Sequence, residues 1–372
     1  MDEDILYGVA LSFISGLDAR FARYLPERGL TLRDFFTMPQ KDLADVLALK
    51  NFRATDRMIR DEALARAARE ADFMRRHGIE ALSITSAAYP ARLADVDRAP
   101  LVLYKLGGAD LDAEKMISIV GTRHSTQYGV RYVDRLVKDL SSYFPGLTVV
   151  SGLALGIDSV AHTAALDAGL PTVAVVAHGL NTIYPSQNRD LARRIVACGG
   201  AIVSEYPSGV TPYRSRFLER NRIVATMTDA VIVAESAVKG GAMSTAAVAS
   251  SYGRELLALP GRLGDEMSAG CNRLIRSQKA MMAGEASDVI SMLGWKPLDV
   301  RVAPAQKELF PELNGKTKTI YDCLRSNSDP VAVDAIRHRT GIPVQELMSL
   351  LSEMEFDGIV ERLPGNRFTV IS

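Results

Sequence analysis

Several short segments of this chain carry residue types that can hold an anion. Gly121-Thr122-Arg123-His124-Ser125 joins a glycine turn, hydroxyls and a guanidinium just ahead of a helical stretch. Backbone N–H groups and the dipole of a helix start favour an anion, and Arg123 offers a planar fork to its oxygens. An arginine beside an ordinary surface turn has the same spelling, and this loop alone does not separate the two. Further on, Gly152 and Gly156 in Ser151-Gly152-Leu153-Ala154-Leu155-Gly156-Ile157-Asp158 allow a backbone or a ligand to approach closely. Asp158 can cap the helix that follows, and His162 lies four residues on along the same helical face. Such a pair could be an acid/base couple or half a metal site. No third ligand or nucleophile accompanies it, so Asp158 is read as a cap and His162 as a hydrogen-bonded structural residue.

The strongest local asymmetry falls between Arg214 and Arg222, where four arginines stand against one glutamate in nine residues. Helical spacing puts Arg216 with Arg220, and Phe217 with Asn221, on adjoining faces. Guanidinium groups that clamp phosphate beside an aromatic ring that stacks a base are the combination expected of single-strand binding. A solvated helix face with a buried phenylalanine fits the same letters. A last glycine-rich turn, Lys239-Gly240-Gly241-Ala242-Met243-Ser244-Thr245, again precedes a helix and places a lysine and two hydroxyls beside its start. The chain has no Gly-x-Ser-x-Gly elbow, P-loop, H-E-x-x-H or G-x-G-x-x-G fingerprint. Its three cysteines form no metal-ligand spacing. No catalytic residue, metal or cofactor is therefore assigned.

The elements that must position these loops follow from the apolar pattern. Met116–Val120, Thr148–Ser151, Thr172–Ala177, Ala201–Ser204, Ala230–Ala234 and Glu255–Leu259 are short and almost wholly apolar, as strands covered on both faces are, and helical stretches separate them. The expected fold is α/β, a Rossmann-like doubly wound and mostly parallel sheet, with ligands in the loops after the strands. A helical domain, helix-hairpin-helix or SAM-like, is expected over 1–80, the α/β domain over 81–294, a linker over 295–318 and a winged-helix-like domain over 319–372. In the first, Ile14–Arg20 and Leu47–Lys50 look like two hairpins. The second has Leu49-Lys50-Asn51 where glycines would let backbone N–H groups reach a phosphate, which favours packing over DNA contact.

Across 372 residues, 44 basic residues cancel 44 acidic ones, so net charge announces no nucleic-acid partner and any such site must be a local patch. An acidic start and no apolar run approaching a membrane span predict a cytoplasmic protein.

Taken in order, these segments resemble the DNA-processing protein A (DprA/Smf) family. The resemblance is carried by Ile119-Val120-Gly121-Thr122-Arg123, Ser151 to Asp158 with His162, Gly179 through Tyr184-Pro185, and Ser204-Glu205-Tyr206-Pro207. It continues through Phe217 with Arg220-Asn221-Arg222, Pro260-Gly261 and Gly270-Cys271-Asn272-Arg273-Leu274-Ile275, with Tyr89-Pro90 and Pro100–Tyr104 as lead-in, and covers about Ala87 to Ile290. It implies a non-enzymatic homodimer that binds single-stranded DNA, protects incoming strands in natural transformation and loads RecA recombinase. By resemblance, DNA contacts fall on Gly121, Thr122 and Arg123, on Gly152, and on Arg214, Arg216, Phe217, Arg220, Asn221 and Arg222. Lys239 is added by its charge and position.

Two departures stand out. Gly240-Gly241-Ala242 replaces a Ser-Gly-Ser of the family, removing two hydroxyls, and Gln278-Lys279 replaces a usual Gly-Ala. The alternative is a nucleotide phosphoribohydrolase of the lysine-decarboxylase-like class, but Val248 stands where that chemistry needs a carboxylate. The C-terminal unit has no Lys or Arg from Gly341 to Val360, whereas a helix entering a DNA groove should be basic, so a protein-interaction or regulatory role is expected of it.

Overall fold

The computed structural model describes residues 3–48, 53–297, 315–327, 330–356, 359–363 and 366–370. Leu49-Lys50-Asn51 and most of the expected linker lie outside them. Two compact units result, Met1–Leu298 and Asp299–Ser372, and the first holds both the N-terminal helices and the sheet.

The first unit opens with helices α1 (Glu3–Ser12), α2 (Ala19–Glu27), α3 (Leu32–Thr37), α4 (Gln40–Leu47) and α5 (Arg57–His77). Asp18 caps α2, Thr31 and Asp34 form a capping box on α3, and Gly78 ends α5 in the left-handed conformation that glycine adopts without strain. Then come β1 (Ile79–Ser83), α6 (Ala91–Ala94), β2 (Val102–Gly107), β3 (Met116–Gly121), α7 (Gln127–Tyr143), β4 (Thr148–Ser151), α8 (Ile157–Asp167) and β5 (Thr172–Val176). The unit closes with α9 (Arg189–Ala197), β6 (Ala201–Ser204), α10 (Arg214–Thr226), β7 (Ala230–Glu235), α11 (Gly241–Ser251), β8 (Glu255–Ala258), α12 (Ala269–Arg276), β9 (Met281–Met282) and α13 (Ala286–Leu293).

The six expected strands form, within one residue at each end. Their order in the sheet is β1-β2-β6-β5-β4-β3-β7-β8-β9, parallel except that β2 runs antiparallel to both β1 and β6. Strands β3 to β7 are buried almost throughout and mostly apolar because helices cover both faces: one core holds Val150, Val175, Val231 and Ile223, the other Ile117, Ile119, Val149 and Leu136. The strand serines inside are satisfied: the Ser118 hydroxyl donates to Val224 O at 2.6 Å and that of Ser151 to Ile119 O at 2.6 Å.

In this unit the strands missing from the sequence reading are β1, β2 and β9. β1 is a five-residue alternation directly after the 21-residue α5, and β9 has two residues, too few to show a period. β1 and β2 form the sheet edge against which the N-terminal helices bury Leu11, Leu25, Phe35 and Met74. Gln278 has φ +54°, the left-handed conformation a glycine takes freely, which accounts for glycine being usual there.

From β3 the chain winds outward through β4, β5 and β6, then returns to place β7 on the other side of β3. The direction of winding reverses between β3 and β7, and in such sheets a crevice opens there beyond the carboxyl ends of the strands.

The second unit comprises α14 (Lys316–Arg325), β10 (Val331–Ala332), α15 (Val333–Thr340), α16 (Val344–Phe356), β11 (Val360–Leu363) and β12 (Arg367–Val370). The strands pair antiparallel in the order β10-β12-β11 over Ile320, Leu324, Ile336, Leu351 and Phe368. Three helices followed by an antiparallel hairpin are the order of a winged helix, the fold expected for 319–372. Among the described residues of both units, no helix is long and apolar enough to cross a membrane.

Candidate nucleic-acid interface

A groove of about 970 Å³ opens at the winding reversal, larger than depressions of about 630 Å³ in the second unit and 520 Å³ at the β8–β9 edge. It gathers the loops after β3, β4 and β7 with one face of α10. Of the residues expected to contact DNA, Gly121, Thr122, Arg123, Gly152, Arg214, Phe217, Arg220, Asn221 and Lys239 all line it.

The β3 loop is held by β7. Thr122 N donates to Glu235 O at 2.7 Å, and the Glu235 carboxylate, 2% exposed, accepts Thr126 N at 2.9 Å and the Thr126 hydroxyl at 2.5 Å. Thr126 also caps α7 by accepting Gly129 N, so one buried carboxylate fixes both the turn and the helix start. The β4 loop locks onto the same turn. Ile157 N donates to Thr122 O at 3.1 Å, and Gly156 has φ +80°, where a Cβ would stand 2.2 Å from Thr122 O. The Asn188 amide donates to Leu153 O at 2.9 Å and braces that loop from below.

Two guanidinium groups flank Phe217: Arg123 lies 5.5 Å and Arg220 5.9 Å from its ring centre, and the Tyr184 ring is 5.9 Å away, tilted by 57°. The two arginines differ in exposure. Arg123, Arg214 and Lys239 are exposed, whereas Arg220 is 4% exposed and donates through Nη1 to Gly152 O at 2.6 Å and to Val175 O. A Cβ on residue 152 would stand 2.2 Å from that Nη1, so only glycine fits above the buried arginine. Burial holds the Arg220 pKa below its ordinary value, with Asp158 pulling the other way. Burial likewise raises the Asp158 carboxyl, against the pull of Arg220, the Ala154 and Gly152 N–H groups and the Ser151 hydroxyl.

Asp158 does not cap α8. Gly156 occupies that position, and Asp158 sits in the first turn with its carboxylate turned back to accept Ala154 N at 3.3 Å. An acid there still suits the helix dipole. Asp158 and His162 share no hydrogen bond among the described residues, so the couple considered from their spacing does not form. His162 Nδ1 lies 2.7 Å from the Thr172 hydroxyl, which itself donates to Val149 O, so Nδ1–H is the donor and the ring is neutral. Burial, helped by Arg220, pushes the His162 pKa down to about 3. An unfolded chain protonates this ring below about pH 6.5 while the folded chain does not. Stability is therefore expected to fall with acid between pH 6.5 and 3 by up to about 1.4 kcal/mol per unit from this group. His162→Gln should flatten that slope in urea unfolding measured at pH 7 and pH 5; an unchanged slope would reject the assignment.

Arg216 and Arg222 do not line the groove. Arg216 donates to Thr211 O and lies 5.6 Å from the Tyr206 ring centre, and Arg222 pairs with the Glu205 carboxylate, both largely buried. The groove also takes residues that were not among the expected DNA contacts: Asp158, Tyr184, Tyr213, Leu218, Ser244 and Thr245. Tyr184 had a signal in its Tyr-Pro motif, and Tyr213 and Leu218 in their place within the arginine cluster. At the α11 start, Gly240 provides no side-chain cap, and the Asn221 amide donates to the Ser244 hydroxyl at 2.9 Å. The groove thus carries four cations, Arg123, Arg214, Arg220 and Lys239, against one carboxylate, Asp158. Val248 packs on the core and lines no part of it.

Known proteins share this sequence and architecture. Residues 80–294 match the DNA recombination-mediator protein A family and residues 304–366 the DprA winged helix domain. Protein Smf of Escherichia coli is 34% identical over 278 residues, 74% of each chain, and a putative DNA processing protein DprA of Mycobacterium tuberculosis is 36% identical over 277 residues, 74% of this chain and 70% of that one. The X-ray structure of DNA processing protein A from Streptococcus pneumoniae superposes with a TM-score of 0.63 at 29% identity, over 78% of this chain and 98% of the other. DNA processing protein A from Helicobacter pylori, described for its single-stranded DNA binding mode, gives a TM-score of 0.52 at 31% identity, over 58% and 95%. The family match alone spans more than half of the 372 residues, and the chain belongs to the DNA recombination-mediator protein A family.

Proposed function

We propose that this chain binds single-stranded DNA in the groove at the β3–β7 winding reversal, without enzymatic chemistry on it. The observation that carries the reading is the pairing of exposed cations Arg123, Arg214 and Lys239 with the rings of Phe217, Tyr184 and Tyr213 in one groove. Cations track a flexible backbone and rings stack on bases of any sequence. Family membership extends the reading: the chain acts as a homodimer in the cytoplasm, protects incoming strands during natural transformation and hands them to RecA recombinase. In the second unit, α16 holds Glu346, Glu353 and Glu355 with no Lys or Arg, which suits a protein or regulatory contact better than a DNA groove.

The test compares single strands and duplex of equal length with the full chain across a salt series. Three exposed cations predict a log–log slope of about −2, at about 0.7 per neutralised phosphate, and a clear preference for the single strand. Salt-independent binding, or equal affinity for duplex, rejects the groove reading. The loading step is tested separately by RecA filament formation on single strands with and without the chain, where no acceleration counts against it.

A further inference from the structure

We propose that Glu70, on α5 among the N-terminal helices, is a positioning residue for the groove: its carboxylate holds the β6–α10 loop in the shape that presents Tyr213, Arg214 and Phe217. The proposal rests on the single-strand reading above. Glu70 is 6% exposed, rare for a carboxylate without hydrogen-bond partners to receive it. Both of its oxygens are used by one residue of the loop. Oε1 accepts Ser208 N at 2.8 Å and Oε2 accepts the Ser208 hydroxyl at 2.5 Å, joining segments 138 positions apart.

The same loop is tied on its other side to the β5–α9 loop. Gly209 N donates to the Asn181 side-chain oxygen at 2.8 Å, and Gly179 N to Val210 O at 2.9 Å. Gly209 has φ +81°, so the turn depends on a conformation that other residues strain to hold. The β5–α9 loop also carries Tyr184, whose N–H donates to His178 Nε2 at 3.2 Å and whose ring faces Phe217. Helix α5, two strand-end loops and the aromatic wall therefore form one connected set of contacts, and Glu70 is the charged acceptor at its far end. Of the loop from Glu205 to Tyr213, only Pro212 and Tyr213 line the groove, so Glu70 acts without touching a bound strand. A charge-assisted pair of hydrogen bonds orders the loop before binding, which removes that ordering cost from association.

The experiment uses the full chain with Glu70→Ala, Glu70→Gln and Ser208→Ala, each checked for folding by circular dichroism. Glu70→Ala should weaken single-strand binding about tenfold with the salt slope unchanged, since no phosphate contact is lost. Glu70→Gln keeps one acceptor and should recover part of the loss, and Ser208→Ala should fall between. In the free protein, hydrogen exchange at the amides of Ser208 to Thr211 and of Tyr213 should quicken in Glu70→Ala while β3 and β4 keep their protection. Wild-type affinity in Glu70→Ala, a shallower salt slope, or unchanged exchange at those amides each overturns the proposal. A wild-type chain that binds no single strand would instead reject the single-strand reading, while the exchange measurement still decides whether Glu70 holds the loop.

Discussion

Arg220→Ala is expected to destabilise the Met1–Leu298 unit by about 1–3 kcal/mol for each of the two buried carbonyls it leaves without a donor. The guanidinium ties the carbonyls of Gly152 and Val175, at the ends of two neighbouring strands, and it is the cation that opposes burial of the Asp158 carboxyl. Without it, two buried carbonyls lose a donor. Arg220→Met keeps most of the volume and none of the charge, so it should be nearly as damaging. Urea unfolding followed by circular dichroism measures both, and a midpoint within error of the wild type would contradict the structural role. The expected loss is a large share of a domain's stability of about 5–15 kcal/mol. Reduced DNA binding in an Arg220 variant therefore reports on the scaffold before it reports on a phosphate.

Arg123 and Phe217 are the residues whose loss should show in binding with the fold intact. Phe217→Ala should reduce single-strand affinity by about ten- to a hundredfold, the effect of about 1–3 kcal/mol for removing one stacking ring, with little change in salt slope. Arg123→Ala with Lys239→Ala should lower the slope by about 1.4, because each substitution removes one phosphate neutralisation. Fluorescence anisotropy with a labelled oligonucleotide over a salt series separates the two effects. If Phe217→Ala lowered the slope, or the double substitution left it unchanged, the roles given to ring and cations would be exchanged or lost. Arg123 also flanks the Phe217 ring at 5.5 Å, so combining Arg123→Ala with Phe217→Ala should cost less than the sum of the two.

The parallel sheet was legible because strands buried on both faces read as short apolar runs, here from Met116 to Ala258. The loops of the groove were legible because glycine, hydroxyl and basic residues recur directly after those strands. The edge strands were not. β1 alternates over five residues behind a long helix and β9 has two, so neither offers a period long enough to read. The role of Asp158 was half legible: the letters put an acid at the start of α8 and read it as the cap, but Gly156 holds that place, and the carboxylate turns back to Ala154 N, which no spacing announces.

The arginine cluster shows where local pattern ends. Letters alone set the composition of α10 and the angle between its side chains, and these sufficed to bring Arg214, Phe217, Arg220 and Asn221 to one groove. Which arginine meets solvent depends on what α10 packs against. Strand ends below the helix bury Arg220, Glu205 takes Arg222, and Tyr206 with Thr211 takes Arg216, leaving Arg214 on the helix, with Arg123 and Lys239 from the loops, as exposed cations of the groove. Partners such as Glu205, Glu235 and Glu70 lie 17 to 138 residues from the groups they hold, beyond any helical or strand period. Charge type and spacing belong to the chain, whereas desolvation and partner choice arise only when the folded chain brings those distant groups together.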